Sequence, residues 1–247
     1  MERAARAPTD GYTIAGVNDG SLVMTPHLYK KVNYDPVNGF EPVSLLAQIN
    51  WVLIANPSMP KTVKDFIALA KARPGDIDYA SGGNGSPAHL AAEAFRLAAG
   101  IDYTHVPYKG APEIVRALLG GQVQAGFPTF DAAYGQAKQG LLRPLAVTGE
   151  QRSRALPDVP TLHETVMPDF DLIAWAGLFG PAKMPPDVIK TLSDELGKVL
   201  ADPEVKARYN TFAFEALNWS PDEIRKQADI KNKIYGKLVA RKNISLE

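Results

Sequence analysis

Cysteine is absent from all 247 residues. That excludes disulfides, thiolate nucleophiles and thiolate metal sites together. Charge of one sign is not in excess either, because 27 Lys and Arg balance 27 Asp and Glu. A broad basic face for nucleic acid or for an anionic membrane is therefore not expected. Long hydrophobic runs are also lacking. The longest strongly apolar run, residues 51–55, is far too short to cross a bilayer, so direct membrane insertion is not expected. The 4 histidines, His27, His89, His105 and His163, show neither HxxxH nor HxH spacing, and no metal site is expected. The opening MERAARAPTDGY is basic but has no apolar stretch, so it does not read as a secretory signal.

What is present is a glycine-rich turn at a helix start. The segment YASGGNGSPAHLAAE, residues 79–93, sets Ser81, Gly82, Gly83, Asn84, Gly85 and Ser86 between a short strand pattern and a helix. Such a turn exposes backbone N–H groups at the positive end of a helix dipole, which suits a carboxylate or a phosphate. It is neither the GxGxxG dinucleotide fingerprint nor a P-loop ending in GK[ST]. The chemistry indicated is capture of a small anion, with no cofactor. With net charge near zero, the anion site must be local. The bland alternative is a flexible strand-to-helix turn, since glycine also serves where φ is positive.

Strand patterns at 12–17, 42–47, 52–55, 77–80, 103–106, 123–127, 142–148, 172–179 and 212–217 alternate with helical ones at 63–73, 87–99, 111–119, 132–138, 186–200, 203–209 and from 221 onward. Residues 18–21 read as a turn. Thr62, Ser86 and Ser220 read as helix N-caps, with Pro87 at the first helical position, and Gly100 as a stop. This alternation predicts an α/β fold with mostly parallel pairing. Ligands in such sheets sit beyond the carboxyl ends of the strands. The loops at 81–86 and 107–110 both follow strands and are expected to line one crevice.

The segments DGYTIAGVNDGS (10–21), NYDPVNGFEPVSLLA (33–47), YASGGNGSPAHLAAE (79–93), THVPYKGAPEIVRALLGGQV (104–123), RPLAVTGEQRSRALPDVPTLHE (143–164), WAGLFGPAKMPPDVI (175–189) and DPEVKAR (202–208) occur in one order along the chain. In that order they resemble the substrate-binding proteins of tripartite tricarboxylate transporters, the Bordetella uptake gene family. The resemblance implies a type II periplasmic-binding (Venus flytrap) fold. Two α/β lobes, residues 1–46 with 173–247 and residues 47–172, would be joined by two crossings near 47–52 and 172–175. It implies an extracytoplasmic protein that captures a small carboxylate or dicarboxylate and delivers it to a membrane permease. Relative to the family, the chain shows no export signal. It also starts after the first strand, glycine-rich loop, helix and second strand, so the first lobe is expected to be truncated. Gln124 stands where relatives often have aspartate, and Pro112 falls early; both are expected to bear on ligand preference.

The ligand-contact candidates are Ser81 to Ser86 and His89, Tyr108 and Lys109 in the next loop, Thr129 and Asp131 at the following helix, and Asn18 and Ser21 from the first lobe. Each has a plainer reading. Lys109 reads as solvated, and Thr129 and Asp131 as helix caps. Ser86 with His89 invites a hydrolase reading, but Ser86 is better explained as a cap, and no carboxylate is evidently placed to orient His89. No catalytic residue is assigned. A ligand-sensing module of the same fold is the other alternative. Trp175 is expected to pack at the hinge.

Overall fold

The computed structural model describes residues 1–29, 31–165, 168, 172–211, 214 and 219–242. The chain divides into two compact units, Met1–Gln48 with Ala174–Glu247, and Ile49–Ile173.

The first leg of unit 1 carries α1 (Glu2–Ala5), β1 (Ala15–Asn18), a π-helical turn (Gly20–Met24), α2 (Thr25–Leu28) and β2 (Phe40–Ile49). The expected strand at 12–17 is shorter than its alternation suggested. Tyr12 is 94% exposed, and its N–H is held by the Asp10 carboxylate at 3.0 Å. The expected turn at 18–21 is where the π-helical turn begins. Leu22, Val23 and Met24 are buried in succession there. An all-buried run of this kind shows no period to read.

Unit 2 follows with β3 (Val52–Ala55), α3 (Val63–Ala72), β4 (Asp78–Ser81), α4 (Pro87–Ala99), β5 (Thr104–Pro107), α5 (Ala111–Leu119), β6 (Ala125–Gly126), α6 (Phe130–Lys138), β7 (Arg143–Val147) and α7 (Leu162–Thr165). The chain then returns to unit 1 through β8 (Ala174–Pro181), α8 (Pro186–Ala201), α9 (Pro203–Thr211) and α10 (Pro221–Lys242). The expected strand at 212–217 lies outside the described residues, apart from the single residue 214.

Unit 2 is built on a five-stranded sheet in the order β5-β4-β6-β3-β7. β4 pairs in parallel with β5 and β6, whereas β3 is antiparallel to both β6 and β7. Four strands therefore run one way and β3 alone runs against them. The helices α4 and α5 are the crossovers that return the chain to the same end of the sheet, as parallel pairing requires. β3 enters the unit with no such helix before it. Phe66, Leu90, Phe95 and Phe127 are fully buried. Phe95 packs its ring 6.3 Å from Phe66 and 5.8 Å from Phe127. Each such side chain contributes roughly 1.5–3 kcal/mol by leaving water. Gly126 admits α5 onto the sheet, because a Cβ there would lie 3.0 Å from Ile114 Cγ2 and 3.2 Å from the Ala80 carbonyl oxygen.

The helix ends follow the sequence signals. The Thr62 hydroxyl accepts the Asp65 N–H at 3.1 Å and donates to the Asp65 carboxylate at 2.7 Å. Gly100 closes α4 in the left-handed region at φ 61°. Ser220 accepts the Glu223 N–H at 3.2 Å at the start of α10.

Unit 1 has a three-stranded sheet in the order β1-β8-β2, with β1 antiparallel to β8. Its core includes Val43, Leu45, Trp175 and Phe179. The Trp175 ring is fully buried and stacks on Phe179, while its indole N–H has no acceptor among the described residues. Helix α10 is fastened by Lys231, whose ammonium meets the Asp19 carboxylate at 3.1 Å with both side chains buried. One residue on, Asn232 Oδ1 lies 2.8 Å from His27 Nε2. No helix among the described residues is long and apolar enough to cross a membrane.

Candidate functional site

Three connections in unit 2 leave the carboxyl ends of neighbouring parallel strands: residues 82–86 after β4, 108–110 after β5 and 127–129 after β6. Since β4 lies between β5 and β6, all three emerge on one edge of the sheet. Two of them touch. A Cβ on Gly83 would sit 3.4 Å from the Tyr108 carbonyl oxygen, and one on Gly82 would sit 3.9 Å from Gly110 Cα. The Tyr108 N–H also donates to the Ser81 carbonyl at 2.9 Å.

The glycine-rich turn is tightly wound. Gly83 and Gly85 adopt φ of 113° and 70°, which side chains with a Cβ rarely adopt. The Ser86 N–H closes on the Gly83 carbonyl at 3.1 Å. Ser86 is the N-cap of α4, and its Oγ accepts the His89 N–H at 3.2 Å. Pro87 follows at the first helical position, where its missing N–H costs nothing. Several donors of the turn are satisfied internally. Gly83 N–H goes to Ser81 Oγ at 3.2 Å, and Gly85 N–H goes to His89 Nδ1 at 3.0 Å. The N–H groups of Gly82, Asn84 and Ala88 have no acceptor among the described residues, nor has the Ser86 hydroxyl proton. These four donors belong to the turn and the first turn of a 13-residue helix, at its positive end.

Beneath the turn lies a stack of rings. His89 and His105 are stacked with their planes nearly parallel, 7° apart, and centroids 4.2 Å apart. Tyr79 lies 4.9 Å beyond His105, and its hydroxyl donates to the buried Glu93 at 3.1 Å. Burial lowers the pKa of His89, and burial together with the neighbouring His89 lowers that of His105 to about 4. His105 Nε2 stands 2.5 Å from Ser81 Oγ. Among the histidines, sequence reasoning weighed His105 only as a metal ligand. Its link to the turn depends on register, since β4 and β5 pair Tyr79 with His105. Ser81 and Tyr79 sit two apart on β4 and so share that face.

His89 directs its ring nitrogen to Gly85 and not to the Ser86 hydroxyl. Ser81 has a close histidine but is fully buried, and its hydroxyl also contacts the Gly83 carbonyl at 3.2 Å.

Tyr108 is half-buried beside the turn, whereas Lys109 is exposed with its N–H on Glu113 Oε2 at 3.1 Å. Thr129 occupies the N-cap position of α6 without a side-chain capping bond, and Asp131 lies in the first turn of that helix. Capping by the Thr129 side chain, the plainer reading, is thus not made. Asn18 and Ser21 belong to unit 1, where Asn18 Oδ1 accepts both the N–H (3.0 Å) and the hydroxyl (3.1 Å) of Ser21. Gln124 has a structural task. Its Oε1 accepts the Asp78 N–H at 2.8 Å, at the amino end of β4 and so at the opposite edge from the turn. Pro112 lies in the first turn of α5, where a missing N–H is tolerated. Among the described residues no group of histidines and carboxylates could hold a metal ion.

The model of the TctC family, described as the tripartite tricarboxylate transporter family receptor, matches residues 1–244. The chain belongs to this receptor family. BugT of Bordetella pertussis is 30% identical over 226 residues, which are 91% of this chain and 69% of BugT. The UPF0065 protein of the tcbD–tcbE intergenic region of Pseudomonas sp. (strain P51) is 30% identical over 220 residues, 88% of this chain and 65% of that protein. The chain thus spans about two thirds of the length of these relatives. Among solved structures, R. palustris Rpa4515 with adipate superposes with a TM-score of 0.87 at 27% identity, covering 99% of this chain and 83% of that one. The fold is that of the family's periplasmic binding proteins, with BugD also superposing at a TM-score of 0.82.

Proposed function

We propose that this chain is the solute-binding receptor of a tripartite tricarboxylate-type transporter, working in the periplasm and passing a small dicarboxylate to a membrane permease. One carboxylate sits on the turn at 81–86 and the N-terminus of α4. The observation that carries this reading is the set of four donors without acceptors, the N–H groups of Gly82, Asn84 and Ala88 and the hydroxyl of Ser86. Each hydrogen bond to a charged carboxylate contributes about 1.5–3 kcal/mol. The helix dipole adds about 0.3–1 kcal/mol. Micromolar affinity requires about 8 kcal/mol after ordering costs, so three or four such bonds are the minimum.

Recognition through main-chain donors suits the net charge of zero, because the attraction is local and needs no basic field. The second carboxylate of a short diacid goes to the Lys109 ammonium, which has no carboxylate partner among the described residues and lies in the loop that touches the turn. Tyr108 walls that path. Thr129 and Asp131, on the same edge, face the body of the ligand, where Asp131 favours an ammonium group on an amino-dicarboxylate. The adipate held by Rpa4515 supports a diacid of this size.

Calorimetry with adipate and a series of shorter dicarboxylates at pH 8 tests the assignment. Saturable binding of at least one diacid, weakened five- to thirtyfold by Lys109→Ala, is the expected result. Absence of binding by every diacid at millimolar concentration refutes it.

A further inference from the structure

We infer that His89 and His105 are positioning residues of the carboxylate turn, and that a proton added to His89 unlatches the turn and weakens anion capture in acid. The inference rests on the carboxylate reading of the turn given above. Two side chains fasten this turn from below. His105 Nε2 holds Ser81 Oγ at 2.5 Å, and Ser81 Oγ in turn accepts the Gly83 N–H. His89 Nδ1 accepts the Gly85 N–H at 3.0 Å. Both glycines have positive φ, so the turn's shape depends on what holds it there.

The tautomer of His89 follows from its bond. Nδ1 accepts, so in the neutral ring the proton is on Nε2. A second proton therefore goes to Nδ1. That converts the acceptor into a donor and sets it against the Gly85 N–H. The latch is lost by a change of hydrogen-bonding type, which electrostatics cannot repair.

The surrounding groups bias this titration in both directions. From β5, His105 faces it with its ring 4.2 Å away, and burial disfavours a charged His89. From α4, Glu93 favours it, but Glu93 is already engaged by the Tyr79 hydroxyl and by Arg96 at 3.1 Å, and Arg96 also binds Asp102 at 2.9 Å. Tyr103, adjoining β5, spends its hydroxyl on the Ala92 carbonyl. The net result is a His89 held below the ordinary imidazole value by burial, and a His105 held lower still. His89 is thus the ring that titrates as pH falls below about 6.5. A bound carboxylate attracts an imidazolium, which works against release, and the sign of the pH dependence decides between the two effects.

The test compares wild type with His89→Asn, whose amide oxygen stands one bond beyond Cγ, as Nδ1 does, and accepts a hydrogen bond but does not titrate. Adipate affinity is measured by calorimetry from pH 8 to pH 5.5, and the ratio of the two proteins at each pH cancels the ligand's own titration. Each protein's affinity is referred to its own value at pH 8. Wild-type affinity should then fall relative to the variant as pH drops, by less than about tenfold at pH 5.5, the ceiling that an ordinary imidazole would set. In the ligand-free protein, the Gly85 amide resonance should shift with the His89 titration in wild type and stay constant in the variant. A flat affinity ratio, a rise in wild-type affinity on acidification, or a Gly85 resonance indifferent to His89 overturns the inference. Failure of adipate to bind wild type at pH 8 counts against the carboxylate reading instead, and the Gly85 resonance still decides the latch.

Discussion

Replacing Ser86 by aspartate separates the two tasks assigned to that side chain. Its Oγ accepts the His89 N–H at 3.2 Å and caps α4, while its proton has no acceptor among the described residues. Alanine removes both functions. Loss of a serine cap costs about 1 kcal/mol. In a unit of 125 residues, Ile49–Ile173, that corresponds to a fall in Tm of about 3–5 °C. Loss of a charge-assisted donor costs a further 1.5–3 kcal/mol of binding, roughly ten- to a hundredfold in Kd. Aspartate behaves differently. Its carboxylate accepts the His89 N–H and interacts favourably with the helix dipole, so stability is retained or raised by a few tenths of a kcal/mol. It has no proton to donate, however, and it places a negative charge where the ligand's carboxylate should sit. Two like charges about 4 Å apart at an effective dielectric of 20 repel by about 4 kcal/mol, close to a thousandfold. Thermal unfolding and calorimetry with adipate on the same preparations read both effects. A Ser86→Asp protein that is stable and binds adipate within threefold of wild type refutes the placement of the carboxylate on this turn.

The partly buried histidines make unit 2 sensitive to acid. The folded pKa of His105, about 4, lies below the ordinary 6.5, so the folded state disfavours the proton that the unfolded state accepts. Stability is therefore full above pH 6.5 and falls as pH drops from 6.5 towards 4. The ring is half-exposed, which reduces the loss to about 1–2 kcal/mol. His105→Gln should flatten that part of the Tm-against-pH curve, and a variant curve parallel to wild type would count against it. Gly126→Val drives its side chain into Ile114 and the Ala80 carbonyl, and should destabilise by about 1–3 kcal/mol in urea titrations. Lys231→Met leaves the Asp19 carboxylate buried beside α10 and should cost about 3–5 kcal/mol. The double variant with Asp19→Leu should recover most of that loss, and a double variant no more stable than the single would show the pair's charge to be irrelevant.

Local signals read correctly wherever a single residue type has one physical use. Thr62 and Ser86 cap because their hydroxyls reach an N–H three residues on, and Gly100 stops α4 because it takes positive φ. The glycine-rich turn is legible for the same reason. Features that depend on non-local pairing are not legible. The reversed direction of β3 leaves no mark on the uniformly apolar run of residues 52–55. His105 joins the turn only because β4 and β5 fall into one register. Short helices such as α2 and α7 complete barely one turn, so no apolar period accumulates. The alternation at 12–17 misled because Tyr12 points to solvent rather than to a core.

Gln124 shows how a residue that stands out in the sequence loses its functional reading once it is placed. It precedes β6, and its backbone joins two neighbours, accepting the Asn56 N–H and donating to the Asp78 carbonyl, each at 3.0 Å. Its side chain reaches the Asp78 N–H at 2.8 Å, so all three bonds lie at the amino end of β4. The turn begins after Ser81, three residues further along the strand, which is about 10 Å at 3.3 Å per residue. A glutamine side chain cannot span that distance and hold Asp78 as well. Gln124→Asp should therefore shorten the acceptor arm by one methylene and weaken the bond to Asp78, costing about 0.5–1.5 kcal/mol. The ranking of dicarboxylates should not change. Measured by calorimetry, the ratio of adipate to succinate affinity should agree between the two proteins within twofold. A reversal of that ranking would mean that the amino end of the sheet communicates with the turn, and that the ligand is not selected at the carboxyl edge alone.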